Sequence, residues 1–173
     1  MRLLRLFIIS VILLFTVITA ISLLIPSNVR ISRATNIDAT PSAIWEHVDD
    51  MRDWSLWNPF FGKQVSGTVL ADTAGAKATR MVVGGTTITW KEKSAYKREA
   101  TMQKKGFRPI VTGWNAITHE STDSTTVQWY IDFQLRWYPW EKFSSLLFEK
   151  NYGVRMEQGL SNLKKLAETT VDQ

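Results

Sequence analysis

Thr125-Thr126-Val127-Gln128-Trp129-Tyr130-Ile131-Asp132-Phe133-Gln134-Leu135-Arg136-Trp137 alternates large apolar residues with polar ones, and Pro139 closes the run. Successive strand side chains point to opposite faces, so Val127, Trp129, Ile131, Phe133, Leu135 and Trp137 share one face. Gln128, Tyr130, Asp132, Gln134 and Arg136 share the other. The pattern predicts a strand over 125–137 with one face buried and one wet, on which Tyr130, Asp132 and Arg136 read as cross-strand partners rather than as chemistry. From Glu141 to about Glu168 the period changes. Phe143, Leu146, Leu147, Val154, Leu160, Leu163 and Leu166 recur at helical spacing, which predicts one long amphipathic helix covering the sheet. Gly153 and Gly159 fall inside it and each costs about 1 kcal/mol of helix propensity relative to alanine, so they allow either a bend or a close approach.

Upstream, the β-branched runs predict further antiparallel strands at Val65–Leu70, Ala78–Val83, Thr86–Lys93, Tyr96–Gln103 and Val111–His119. Gly84-Gly85 and Ser121-Thr122-Asp123-Ser124 are the tight-turn signals. A first, imperfectly alternating strand contains Val29, Ile31, Arg33 and Ile37. Thr40 is placed as an N-cap with Pro41 at the first helical position, so a short helix follows, with Ile44, Val48 and Met51 on its buried face and His47 at the edge. A second short helix or turn holds Trp54, Trp57 and Pro59.

Leu6 to Ile25 is a run of twenty residues without a charge. At about 1.5 Å per residue it spans about 30 Å, the hydrocarbon thickness of a bilayer. The expectation is an N-terminal membrane anchor and linker over residues 1–27, with Pro26, Ser27 and Asn28 ending the helix, and one domain over 28–173. A cleaved signal peptide is the other reading, since Ala20-Ile21-Ser22 resembles a weak small-x-small site. Arg2 and Arg5 before the segment tie with Arg30 and Arg33 after it. The very short N-terminal tail favours a cytoplasmic N-terminus and a periplasmic or extracellular domain.

The 173 residues are 45% hydrophobic, 21% charged and 12% aromatic, with eight tryptophans. Those proportions suit one globular domain, and the aromatic excess implies a heavily aromatic core or a lined cavity. With no cysteine and two histidines, thiolate chemistry and Cys-containing metal sites are excluded, and neither metal nor cofactor is expected. Of the 21 basic residues, Arg2 and Arg5 belong to the anchor, leaving 19 against 16 acidic ones, a body charge of only +3. That excess is scattered rather than gathered into a stripe, so nucleic acid is not an expected partner. There is no nucleophile elbow, phosphate loop or dinucleotide fingerprint.

The order strand, two short helices, antiparallel strands, long C-terminal helix describes an α+β helix-grip fold, a curved sheet wrapped on that helix. Ala39-Thr40-Pro41-Ser42-Ala43-Ile44-Trp45-Glu46-His47-Val48-Asp49-Asp50, then Trp54, Trp57 and Pro59, resembles the N-terminal signature of the SRPBCC superfamily of START-like and Bet v 1-like domains, in its polyketide cyclase/dehydrase branch. Tyr138-Pro139, Phe148-Glu149 and Glu157-Gln158-Gly159-Leu160-Ser161-Asn162-Leu163-Lys164 resemble its C-terminal end. The resemblance spans residues 28–168 and is similar to membrane-anchored bacterial members. It implies binding of a hydrophobic small molecule or lipid, or cyclase-type chemistry, and supplies no catalytic set that maps onto named positions.

Ile88, Trp90, Trp129, Ile131 and Phe133 are the candidate walls of an apolar pocket, with Phe143, Leu147 and Val154 facing them from the helix. The same residues also suit a filled core, which would leave a structural or interaction module. Whether Trp114 or Asn115 faces inward stays open, because Gly113 marks a candidate bulge. Trp54, Trp57, Phe60 and Phe61 form either a lid or membrane-interface group, or an apolar closure of the sheet's end. His47 and His119-Glu120 lack a converging partner and read as ordinary surface groups. Glu92 is the one catalytic candidate: by parity it shares the face of Ile88 and Trp90, and a buried carboxylate without a cation would be pushed toward acid–base use.

Overall fold

The computed structural model describes residues 2–62, 67–70, 77–119 and 124–171. Helix α1 (Arg2–Leu23) precedes strand β1 (Asn28–Ile37), helices α2 (Pro41–Asp49) and α3 (Trp54–Trp57), and a 3-10 turn at Pro59–Phe61. Strands β2 (Gly67–Leu70), β3 (Arg80–Val83), β4 (Thr86–Lys93), β5 (Lys97–Lys104), β6 (Ile110–Thr118) and β7 (Thr125–Gln134) follow, then α4 (Pro139–Ser145) and α5 (Phe148–Val171). The strands form one antiparallel sheet in the order β1-β7-β6-β5-β4-β3-β2. α5 lies across the inner face against β1, β7, α2 and α3, which is the expected helix-grip arrangement.

Besides one-residue shifts at the ends of β5 and β6, three features differ from the sequence reading. The last strand ends at Gln134 rather than Trp137, because β1 begins at Asn28 and the Leu135 N–H closes onto the Ser27 carbonyl, 2.7 Å away, leaving no ladder beyond. Trp137 is 58% exposed. The third strand starts at Arg80, not Ala78, whose N–H is taken by the Asp50 carboxylate at 3.3 Å. The single C-terminal helix is two helices. Leu146 and Leu147 donate to the carbonyls of Phe143 and Ser144, a tight i→i−3 turn that redirects the chain without glycine or proline. Residues 65 and 66 of the second predicted strand, Glu120, and positions 121–123 of the predicted turn lie outside the described residues.

The core is one cluster between sheet and α5. Trp54, Trp57, Trp114, Trp129, Ile37, Ile44, Met51, Ile88, Met156, Leu160 and Leu163 are its largest fully buried members. Met156, Leu160, Leu163 and Ala167 form the buried stripe of α5. Gly159 serves close approach rather than bending, since an added Cβ would lie 2.7 Å from the Trp129 ring and 3.0 Å from Pro59. Gly153 makes the same kind of room for the Arg33 guanidinium.

Candidate functional site

The sheet register places the aromatic wall. Trp129 pairs with Trp114, and two residues along on the same face, Ile131 pairs with Thr112, which pairs in turn with Ala100 opposite Trp90. Thr112 and Ala100 put small side chains in the middle of the inner face, and the sheet curves around the space they leave. That space is a cavity of about 310 Å³. Ile88, Ile131, Phe133, Trp114 and Trp129 line it from the strands, Trp54, Phe60 and Phe61 from the short helical segments, and Tyr152 from α5. Its rim carries Lys104, Phe107 and Arg108, all exposed, at the β5–β6 turn.

The wall is organised by ring packing. Trp114 stacks on Trp129 with centroids 5.7 Å apart, and its other neighbours Trp54, Trp57 and Trp90 meet it at angles of 60° to 80°. Offset and edge-on contacts of this kind suit the aromatic quadrupole. Indole N–H groups are mostly satisfied: Trp129 donates to the Thr112 hydroxyl at 2.8 Å, Trp54 to the Val48 carbonyl at 2.8 Å and Trp57 to the His47 carbonyl at 3.2 Å. The buried indole nitrogens of Trp90 and Trp114 have no hydrogen-bond partner among the described residues.

Of the residues proposed from sequence, Ile88, Trp129, Ile131 and Phe133 line the cavity, and Trp90 sits in the wall behind Trp54 and Trp114. Phe143, Leu147 and Val154 do not: they are 37%, 58% and 64% exposed. The break at Leu146–Leu147 shifts the helical phase, and Val154 lies two residues from buried Met156, about 200° around the helix. Tyr152 supplies the helix side instead, and Met102, Ile110, Val83 and Thr112 add to the sheet side. The spacing Phe148, Tyr152, Met156, Leu160 is the signal that marked the true face of α5. Trp54 and Trp57 are fully buried and close the end of the sheet, while Phe60 and Phe61 are half-buried on the cavity.

Glu92 is corrected as well. A bulge between Trp90 and Glu92 inserts Lys91 and breaks the parity that placed Glu92 inward. Its carboxylate is exposed and pairs with Lys97 at 2.8 Å. His119 is exposed and shares a 2.7 Å hydrogen bond with Thr126, and His47 lies 3.6 Å from Asp53. Trp114 faces inward and Asn115 outward, with no bulge in β6.

The strongly perturbed groups lie on the outer face. Glu99 and Tyr130 flank Gly113 across β6, and the Tyr130 ring fills the space a Gly113 side chain would occupy. Tyr130 Oη donates to Glu99 at 2.8 Å, and Lys91 and Lys97 donate to the same carboxylate at 2.5 and 2.9 Å. Burial pushes the Glu99 carboxyl up, but these three donors outweigh it and hold it down at about 2. Burial, then the bond to Glu99, pushes the Tyr130 phenol up to about 12. Asp132, on the same face, pairs with Arg30 at 2.6 Å. Among the described residues that line the cavity there is no aspartate, glutamate or histidine.

Several solved structures share this fold. An aromatase/cyclase, ZhuI, from Streptomyces sp. R1128 is 16% identical with a TM-score of 0.62, covering 83% of this chain and 96% of its own. A protein of unknown function from Staphylococcus aureus is 13% identical with a TM-score of 0.63, covering 84% and 97%. A START superfamily protein from Mycobacterium smegmatis is 16% identical with a TM-score of 0.51, covering 83% and 97%. No curated protein matches the sequence. The family described as polyketide cyclase/dehydrase and lipid transport matches residues 28–168, and the chain belongs to that family.

Proposed function

We propose that residues 28–173 form a domain that binds one apolar small molecule between the sheet and α5, held at a membrane by an anchor and linker over residues 1–27. The observation that carries the reading is the 310 Å³ cavity walled by Ile88, Ile131, Phe133, Trp114 and Trp129. A dry apolar void of about 150 Å³ accepts benzene, so twice that volume suits a body of about two fused rings or one short acyl chain. A two-chain lipid exceeds it. α1 supports the tether: it is 22 residues long, an 18-residue stretch of it has a mean hydropathy of 2.8, and nearly all of that stretch is exposed.

A cyclase or dehydratase would need an acid or base reaching the ligand. The described cavity lining offers Tyr152 in the interior and Lys104 and Arg108 at the rim, while the carboxylate with the largest displacement, Glu99, is on the far side of the sheet. Binding is the reading this lining supports. The test is native mass spectrometry of the full chain in lipid nanodiscs, followed by denaturing extraction. A stoichiometric apolar adduct that survives lipid exchange is expected. A bare protein mass, unchanged after incubation with naphthalene-class compounds and medium-chain fatty acids, would overturn the reading.

A further inference from the structure

The apolar residues that the core leaves outside are not spread evenly. Trp137, Trp140, Leu146 and Leu147 are each at least 58% exposed and Phe143 is 37% exposed, all within eleven residues centred on α4. Exposed apolar side chains clustered in this way mark a contact surface. Its position in the fold says what covers it.

α4 packs on α1, and the joint is built from the inside. Lys142, itself buried, donates to the Ile25 carbonyl at 2.7 Å and to the Ser27 hydroxyl at 2.8 Å, so α4 holds the chain just where it leaves α1. The less exposed face of α1 is confined to its end, at Ile18, Thr19 and Ser22. From Ile18 to Leu23 is five helical steps, about 8 Å. α4 therefore lies within about 8 Å of the level at which a bilayer-spanning α1 emerges, a depth that matches the roughly 5–10 Å to which interfacial helices sink.

A second hollow, of about 260 Å³, lies beside α4. Glu141 and Ser144 of α4 line one side and the β5–β6 turn the other, and it shares Phe107, Arg108, Ile110 and Phe133 with the main cavity. Phe107 at the turn is 65% exposed, between the exposed cations Lys104, Lys105 and Arg108. A ring flanked by cations suits the headgroup layer, where aromatic side chains settle and basic ones meet lipid phosphate.

We infer that α4 and the β5–β6 turn rest in the interfacial layer of the bilayer that α1 crosses, so that the hollow between them opens the binding cavity directly onto lipid. The inference rests on the membrane-tether reading. Docked in this way, the cavity is loaded from the bilayer rather than from water.

The test uses the full chain, whose lack of cysteine permits single-site labelling. Leu13→Cys, Phe107→Cys, Trp140→Cys, Leu147→Cys and Ile117→Cys, each spin-labelled, are placed in phosphatidylcholine/phosphatidylglycerol vesicles. Collision rates with oxygen, which favours lipid, and with a nickel chelate, which favours water, give the depth of each label. Leu13 reports the tether alone. Ile117, exposed and apolar but at the opposite end of β6 from the turn, is the aqueous control. The expected result is Leu13 deep in hydrocarbon, Trp140, Leu147 and Phe107 at headgroup depth, and Ile117 in water. Leu13 deep with Trp140 and Leu147 as wet as Ile117 overturns the docking and leaves the tether standing. Leu13 in water overturns both. Labels at 140 and 147 shielded from oxygen and chelate alike indicate a protein partner on α4 and overturn the docking.

Discussion

Gly159 and Gly153 are both buried on α5, yet alanine is expected to act on them in opposite directions. At either site the substitution recovers about 1 kcal/mol of helix propensity. The Cβ at 159 would lie 2.7 Å from the Trp129 ring and 3.0 Å from Pro59, so something must move by several tenths of an ångström. Trp129 is held by Trp114 stacked on it, by the edges of Trp57 and Phe60, and by its bond to Thr112. It yields only toward the cavity. Overpacking of such a site costs about 1–3 kcal/mol, which leaves Gly159→Ala between neutral and about 2 kcal/mol destabilised. At 153 the new Cβ meets the end of the Arg33 side chain at 2.5 Å, a group free to swing. Arg33 bridges Glu149 and Glu157, whose side chains are 61% and 59% exposed, and exposed pairs are worth at most about 1 kcal/mol. Gly153→Ala is therefore expected between neutral and about 1 kcal/mol stabilised. These ranges put Gly153→Ala above Gly159→Ala by up to about 3 kcal/mol, at roughly 2–4 °C of Tm per kcal/mol in a chain of this size. Thermal unfolding followed by near-ultraviolet circular dichroism of the tryptophans measures the gap. Gly159→Ala as stable as Gly153→Ala, with unchanged tryptophan signals, would refute the claim that α5 is seated on Trp129.

Ile131→Trp should fill the cavity, abolishing any co-purifying apolar adduct in native mass spectrometry while Tm stays level or rises; a retained adduct places the ligand elsewhere. Thr112→Val keeps the shape but orphans the buried Trp129 indole N–H, for an expected loss of about 1–3 kcal/mol in urea unfolding. Glu99 has its folded pKa lowered from the ordinary 4.5 to about 2, so its contribution is complete above pH 4.5 and is lost as pH falls through 2. Glu99→Gln should flatten the stability profile across that window and nowhere above it, read by denaturant midpoints at successive pH values. Lys142→Met leaves the Ile25 carbonyl without its donor, and hydrogen exchange across 140–146 should quicken while β6 and β7 stay protected.

The fold was legible because its two decisive elements announce themselves by different periods. The alternation through Val127, Trp129, Ile131 and Phe133 survives in β7 unchanged, and four of the five sheet positions proposed for the pocket face the cavity itself. The misses share one cause, that periodicity carries phase only until something resets it. Lys91 resets it in β4 and turns Glu92 outward, and the tight turn at Leu146–Leu147 resets it between α4 and α5 and strands Phe143, Leu147 and Val154 outside. Neither reset carries a glycine or proline, so nothing local marked it. Gly113 did carry a mark, but it signals a close approach rather than a bulge: the Tyr130 ring needs the space over it, which only the cross-strand pairing reveals.

That close approach ties the two faces of the sheet together. Gly113 opposite Tyr130 is the neighbouring register step to Trp114 opposite Trp129, and β5 contributes Glu99 to the first and Arg98 to the second. A one-residue slip of β6 would send Trp114 to the outer face and drive a side chain into the Tyr130 ring. Glu99 receives Tyr130 from β7 and Lys91 and Lys97 from β4 and the β5 start, so its carboxylate clamps the strands on both sides of Gly113. That arrangement is a register lock rather than acid–base machinery, because the carboxylate is held by three donors on the face turned away from the cavity and does not reach a bound molecule. On this argument the outer polar network and the inner tryptophan wall are one device: the charges fix which residues face inward, and the residues that face inward make the cavity.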